Sequence, residues 1–157
     1  MSLLAGYHAA QHDESVARLR RVLALRAMVA TGMSQREIAT ALGVSQPAVS
    51  QQLKAASDLS GVHPSLLVEA AAPVLRRIAE DAGYGELAVF GSVARGEATD
   101  ESDVDLLVKA PEGTSSFGFV KFKQLIEQVL GREIDLVDHG ALKPKLDDDI
   151  RREAVPL

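Results

Sequence analysis

The chain has 157 residues, 46% hydrophobic and 25% charged, with a formal net charge of −5 and no cysteine. This is the composition of a soluble globular protein with one ordinary domain or two small ones, and it excludes disulfides and thiolate metal sites. No apolar run reaches the ~18 residues that span a bilayer, and Met1 to Gly6 has neither a basic n-region nor the apolar length of a signal peptide, so the expected location is cytoplasmic, with no membrane partner.

Elements follow in chain order. From Asp13 to Ala30 the apolar residues Val16, Leu19, Leu23, Ala27 and Ala30 form a helical stripe, with Val22, Leu25 and Val29 as a second stripe beside it. A face that wide predicts a helix that serves an internal core and a partner helix together. Thr31-Gly32 ends it. Ser34-Gln35-Arg36-Glu37 is a capping box that opens a second helix, with Ile38, Ala39 and Leu42 as its buried side. Gly43 permits the tight turn that follows. Ser45 caps a third helix, Pro47 suits its first turn, and Val49 and Leu53 face inward. Asp58 to Pro64 breaks the periodicity and predicts a boundary between units 1–60 and 61–157.

Beyond it, Leu67, Ala71, Val74 and Ile78 predict a helix to about Ala82, broken by Gly83-Tyr84-Gly85. Glu86–Phe90 and Val104–Lys109 read as short strands. Phe122, Leu125, Ile126, Val129 and Leu130 mark a helix that Gly131 ends, and Glu133–Val137 is a third strand. Pro144 opens a last helix, with Asp147, Asp148 and Asp149 early and Arg151 and Arg152 late, the order a helix dipole favours. The expected fold class is α+β: an all-α helix-turn-helix unit, then a small α/β unit whose helices cover one side of a short mixed sheet. Residues 1–60 carry six Lys/Arg against four Asp/Glu, and residues 61–157 carry eleven against eighteen. The front unit therefore suits a nucleic-acid surface better than the back unit does.

Gln35 to Lys54 resembles the helix-turn-helix of bacterial transcription regulators. Ala39 is small where the two helices cross, Gly43 sits in the turn, and Val49 and Leu53 lie on the inner side. The resemblance implies a second helix in the major groove of double-stranded DNA. Ser45, Gln46, Pro47, Ser50, Gln51 and Lys54 would then meet the groove, with Arg36 on the backbone. A glutamine offers adenine two hydrogen bonds. Arg18, Arg20, Arg21 and Arg26 are further candidates for phosphate contacts. With Lys54 the one basic residue of the recognition helix, a single copy binds weakly, and a homodimer on two half-sites is expected. The other reading is a helical bundle used only for dimerisation or docking.

The densest chemistry lies between Gly91 and Asp105. Gly91-Ser92 closes an apolar segment, and ten residues later Asp103-Val104-Asp105 runs into Leu106-Leu107-Val108. Side chains two apart on a strand share a face. Two carboxylates held this close repel unless a cation lies between them, and Mg²⁺ suits oxygen ligands and substrate phosphates. Asp135, inside the apolar strand Glu133–Val137, is the third carboxylate that a two-ion site needs. Asp103 and Asp105 would bridge two ions and hold a triphosphate, and Asp135 would act as ligand or general base. Gly91 would let the backbone approach phosphate, Ser92 would offer an amide and a hydroxyl, and Arg95 would neutralise charge on leaving pyrophosphate.

This set is similar to that of the nucleotidyltransferase superfamily that includes DNA polymerase β. Gly-Ser-x-Ala-Arg-Gly-Glu-Ala…Ser-Asp-x-Asp-Leu-Leu-Val resembles its minimal branch, the MNT-type domains found beside HEPN-domain toxins. The resemblance covers about residues 65–157. It implies Mg²⁺-dependent transfer of a nucleoside monophosphate, AMP from ATP, to a HEPN-type toxin partner in an antitoxin-like role, and the helix-turn-helix adds autoregulation of the operon. A second reading is a non-enzymatic regulator that senses NTP-Mg²⁺. Transfer to a small molecule is disfavoured, because about ninety residues leave little for an acceptor pocket. His8, His12, His139, Lys121 and Lys123 are read as surface residues and Asp147–Asp149 as a solvated helix start. Aromatics at 4% with no tryptophan argue against a single-strand stacking platform.

Overall fold

The computed structural model describes residues 2–55 and 58–157; residues 1, 56 and 57, all within the front unit, lie outside the described residues. The elements are α1 (Leu3–Ala30), α2 (Gln35–Leu42), α3 (Gln46–Ala55), α4 (Pro64–Asp81), β1 (Gly85–Phe90), the single turn α5 (Gly91–Ala94), β2 (Val104–Lys109), α6 (Ser116–Leu130), β3 (Ile134–Asp138), α7 (Asp148–Glu153) and β4 (Val155–Pro156).

Helix α1 starts ten residues before the apolar stripe predicts. The Ser2 hydroxyl accepts from the Ala5 amide at 3.0 Å, and the alanines that follow favour helix without needing a core. Leu3, Leu4 and Tyr7 on these first turns are exposed. Burial begins at Val16 and divides. Val16, Leu19, Leu23 and Ala27 join the main core with Leu67, Ala71 and Leu75 of α4 and Phe122, Ile126 and Val129 of α6. Leu25 instead joins Ile38, Ala39 and Val49 in a small separate core, with Met28, Met33 and Leu53 against it. The wide apolar face is thus used by two cores of the same chain.

Three arginines stitch these layers through backbone carbonyls. Pro73 lies inside α4 and has no amide, so the Glu69 carbonyl one turn earlier loses its usual donor. Arg20 of α1 supplies the replacement: Nη2 donates to Glu69 O at 3.1 Å and Nε to Ala70 O at 2.9 Å. Arg26 donates to the α6 carbonyls of Val129 (2.9 Å) and Gln128 (2.8 Å). Arg132 Nη2 donates to Leu59 O and Val62 O, both at 2.8 Å, and so holds the segment between α3 and α4.

The sheet runs β3-β2-β1-β4. β1 pairs antiparallel with β2 and β4, and β2 pairs parallel with β3. Leu87, Val89, Val104, Leu106, Val108 and Ile134 face the helices. The opposite face is also covered, which differs from the one-sided sheet read from sequence. Ala88, Phe90 and Leu107 pack there with Leu142, and Val137, Ile150 and Ala154 pack against them. Outward apolar positions on β1 and β2 require that cover. The C-terminal segment supplies it, with its helix starting at Asp148 rather than Pro144 and ending in the two-residue edge strand β4.

Replacing Arg20 by Ala should lower unfolding stability by about 1 kcal/mol, the net worth of hydrogen bonds to one part-buried and one exposed carbonyl. In a Pro73→Ala background, where α4 regains its own donor, the same change should cost measurably less. Urea unfolding of the four variants checks this, and an equal cost in both backgrounds would refute the compensation.

Candidate active site and nucleic-acid interface

The alternation of β2 places its carboxylates. Val104, Leu106 and Val108 are fully buried against the helices, so Asp105 must project to the opposite face, beyond Asp103 at the strand's entry. Parallel pairing puts Asp105 directly opposite Asp135, and antiparallel pairing puts it opposite Phe90. Asp105 is half-buried, while Asp103 and Asp135 are exposed. Asp135 occupies an edge strand open to solvent, not the interior that its apolar neighbours suggest.

Gly91 follows Phe90 at φ +72°, in the left-handed region that favours glycine. A Cβ added there would stand 2.1 Å from Asp105 Oδ2. The glycine therefore makes room for the carboxylate itself, a role additional to the approach of phosphate expected from sequence. From Gly91 the chain makes one turn, in which the Arg95 amide donates to Gly91 O at 3.1 Å and the Glu97 amide to Ser92 O at 2.9 Å. Gly91, Ser92 and Arg95 thus stand within one turn beside the carboxylates.

Burial pushes the Asp105 carboxyl up to about 6, reinforced by its hydrogen bond to Asp135 and by the charges of Asp135 and Asp103; the Arg95 charge pulls the other way. The structure thus brings all three carboxylates into electrostatic contact, with Asp105 and Asp135 as the close pair. Among the described residues, no three His, Cys, Asp or Glu side chains close into a complete metal-ligand group. The donor set fits a hard divalent cation all the same: it is all oxygen, it gathers like charge, and the missing Cβ of Gly91 lets the Asp105 carboxylate stand against the turn.

Arg95 is tied on two sides. Its Nε donates to Glu97 Oε2 at 3.0 Å and its Nη1 to Glu153 Oε2 at 2.6 Å, and both carboxylates raise its pKa, Glu153 foremost. Sequence reasoning misses Glu153, which lies 58 residues away. It also misses His63, whose Nδ1 caps α4 through the Ser65 amide (3.1 Å) and whose Nε2 meets Ala98 O (3.1 Å), anchoring the loop between Gly91 and Asp103. The other histidines and acids singled out from sequence make local contacts away from this pair, with His139, Asp147 and Asp148 half-buried rather than fully solvated. His12 pairs with Glu69 at 3.0 Å and His139 lies 3.6 Å from Glu86. Asp147 and Asp148 accept from the Lys143 and Lys145 amides, and Asp149 pairs with Arg152.

In the front unit the capping box forms as read. The Glu37 amide donates to Ser34 Oγ at 3.1 Å, and Glu37 Oε1 accepts from the Ser34 amide at 3.3 Å. Gly43 turns the chain at φ +69°, and the Ser45 hydroxyl accepts from the Ala48 amide at 3.2 Å. Val49 is fully buried, so α3 presents the opposite face: Gln46, Gln51 and Lys54 are exposed, Ser50 half-buried, and Ser45 and Arg36 exposed beside them. The arginines of α1 require a correction. Arg20 and Arg26 turn inward to the carbonyls of α4 and α6, and Arg18 pairs with Glu14 at 2.9 Å. Arg21 stays exposed.

Comparison with known proteins agrees with both halves. The family model of a homeodomain-like domain matches residues 15–66, and that of a nucleotidyltransferase domain matches residues 73–155. A Methanocaldococcus jannaschii protein named "Putative protein adenylyltransferase" is 41% identical over 75 residues, 48% of this chain and 81% of that protein. "Protein adenylyltransferase MntA" of Thermococcus cleftensis is 39% identical over 80 residues, 51% of this chain and 81% of its own. A solved structure described as a "putative minimal nucleotidyltransferase" superposes with a TM-score of 0.54 at 36% identity, over 59% of this chain and 95% of the other. Sheet, carboxylates and kinship agree: the chain belongs to the nucleotidyltransferase family, with a homeodomain-like helix-turn-helix unit at its front.

Proposed function

We propose that the protein transfers AMP from ATP to a hydroxyl group of a partner protein and binds DNA through α3, in an antitoxin-like arrangement that lets it regulate its own operon. The observation that carries the transfer is the in-register pair Asp105–Asp135 beside a glycine whose missing Cβ leaves room for the Asp105 carboxylate. Asp103, Asp105 and Asp135 would hold Mg²⁺, in two ions by the number of carboxylates. When bound, the metal supplies positive charge for the triphosphate and the leaving group.

The residues of the chain do the rest. Gly91 and Ser92 seat the phosphates, and Arg95 stands where charge grows on pyrophosphate. The acceptor oxygen forms a bond to the α-phosphorus, the bond from that phosphorus to the bridging oxygen of the β-phosphate breaks, and pyrophosphate leaves. The acceptor's proton passes to Asp135, the exposed carboxylate of the pair. Asp103 and Asp135 stand exposed, where an acceptor carried by a separate macromolecule can reach them; a HEPN-type toxin is the candidate that the family suggests. A homodimer would give α3 two half-sites.

Labelled ATP, Mg²⁺ and the protein encoded beside this one should yield a labelled neighbour, and Asp105→Asn should reduce the label to background. Gly91→Ala should do the same without removing a ligand, because its methyl group takes the place of the Asp105 carboxylate. Transfer that survives both changes would sink the assignment of this site.

The raised pKa of Asp105 carries a sign. A carboxyl that binds its proton more tightly when folded contributes stability fully present below its unfolded value of 3.8 and lost as pH rises through about 6. In metal-free buffer at pH 7.5, Asp105→Asn should therefore be the more stable protein, by on the order of 1 kcal/mol after solvent screening. The advantage should shrink as pH falls from 6 to 4. Thermal unfolding across that range decides, and a gap independent of pH would contradict the origin given for it.

For DNA, a gel shift on the fragment upstream of the protein's own coding sequence should be lost in the Gln51→Ala, Lys54→Ala double variant. A shift that persists at wild-type protein concentration would move recognition away from α3.

A further inference from the structure

We propose that Glu153 is a positioning residue for nucleotide binding: from α7 it holds the Arg95 guanidinium on the phosphate side of the Asp105–Asp135 pair. The inference rests on the reading of Arg95 as a phosphate ligand. A guanidinium has five N–H donors in a planar fork. Glu97 takes Nε and Glu153 takes one hydrogen of Nη1, which leaves Nη2 and the second Nη1 hydrogen unclaimed by these two carboxylates. Two acceptors on different nitrogens fix the plane of the fork as well as its place, whereas one would leave it free to rotate.

The two carboxylates are not equivalent. Glu97 is two residues from Arg95 on the same exposed loop, and its side chain is 67% exposed. Glu153 is 22% exposed and makes the shorter contact. Its backbone is held on both sides: Ile150 and Ala154 pack on the sheet face with Phe90 and Leu107, and Val155 pairs with Val89 two residues before Gly91's turn begins. Glu153 therefore refers Arg95 to the sheet itself. The neighbouring Arg152 pairs with Asp149, so of the two arginines lining this open cleft Arg95 is the one whose charge reaches Asp105. The arrangement explains why a helix with no ligand of its own stands beside the site.

Calorimetric titration of the full chain with ATP and Mg²⁺ tests this without an acceptor. Glu153→Gln should weaken binding about tenfold, as expected for the loss of a charge-assisted hydrogen bond that orders a ligand, while Glu153→Asp recovers most of it. Arg95→Ala should weaken binding at least as much, and Glu153→Gln should add nothing in that background. Arg95→Lys, which keeps the charge but loses the fork, should match Glu153→Gln and provides a second route should that variant fold poorly. Wild-type affinity in Glu153→Gln or Arg95→Lys alongside a weakened Arg95→Ala would overturn the inference and leave the Arg95 reading intact. Additive losses in the double variant would overturn it too. Unchanged affinity in Arg95→Ala would instead remove the phosphate reading, and the inference with it.

Discussion

The Asp105 carboxylate stands against the backbone at Gly91, closer than any neighbour stands to another glycine among the described residues, and the strand register depends on it. A side chain at residue 91 would meet Asp105 Oδ2 at 2.1 Å, so β1 must be followed by a glycine for β2 to carry an acid at that register. The rest of the catalytic unit follows from keeping the two strands there. Val104, Leu106 and Val108 bury completely on the helix side and thereby force Asp105 outward. Parallel β3 brings Asp135 alongside, and one turn of helix returns Arg95 to offset the accumulated negative charge. The half-burial that raises the Asp105 pKa is the energetic cost of holding this carboxylate beside Asp135 and Asp103.

The second organising element is α1. At 28 residues it is about 42 Å long, and its buried part divides between two cores, Leu23 facing α4 and α6 while Leu25 faces α2 and α3. Arg20 and Arg26 reinforce the first of these contacts by donating to backbone carbonyls of α4 and α6. The helix-turn-helix is therefore packed on the same helix that forms a wall of the nucleotidyltransferase core.

The sequence is legible where spacing encodes geometry. Asp103 and Asp105 share a face because strands alternate, and Gly43 and Ser34 announce their turn and cap through local chemistry. It is opaque where a residue's partner is remote. An arginine on a helix reads alike whether it faces phosphate or caps another helix, and so Arg20 and Arg26 are misread. The pairing of Arg95 with Glu153 spans 58 residues and leaves no periodic trace. The alanine-rich start of α1 has no apolar stripe to reveal it, and β4, with two residues of which one is proline, falls below any pattern a strand leaves. The double stripe on α1 is visible, but only the structure shows that Leu25 enters a second core of the same chain, Val22 packs on the first and Val29 stays exposed.

That division has an evolutionary meaning. Positions 23 and 25 are two residues apart on one helix, yet each answers to a different half of the protein. A drift in packing that suits one half tilts or slides the same helix for the other, so the helix-turn-helix and the nucleotidyltransferase sheet cannot wander independently. Such a fusion is not a pair of modules on a string. Exchanging its front unit for that of a relative would require the new helix to bring Leu19, Leu23 and Ala27 with it, or leave Leu67, Ala71 and Leu75 bare.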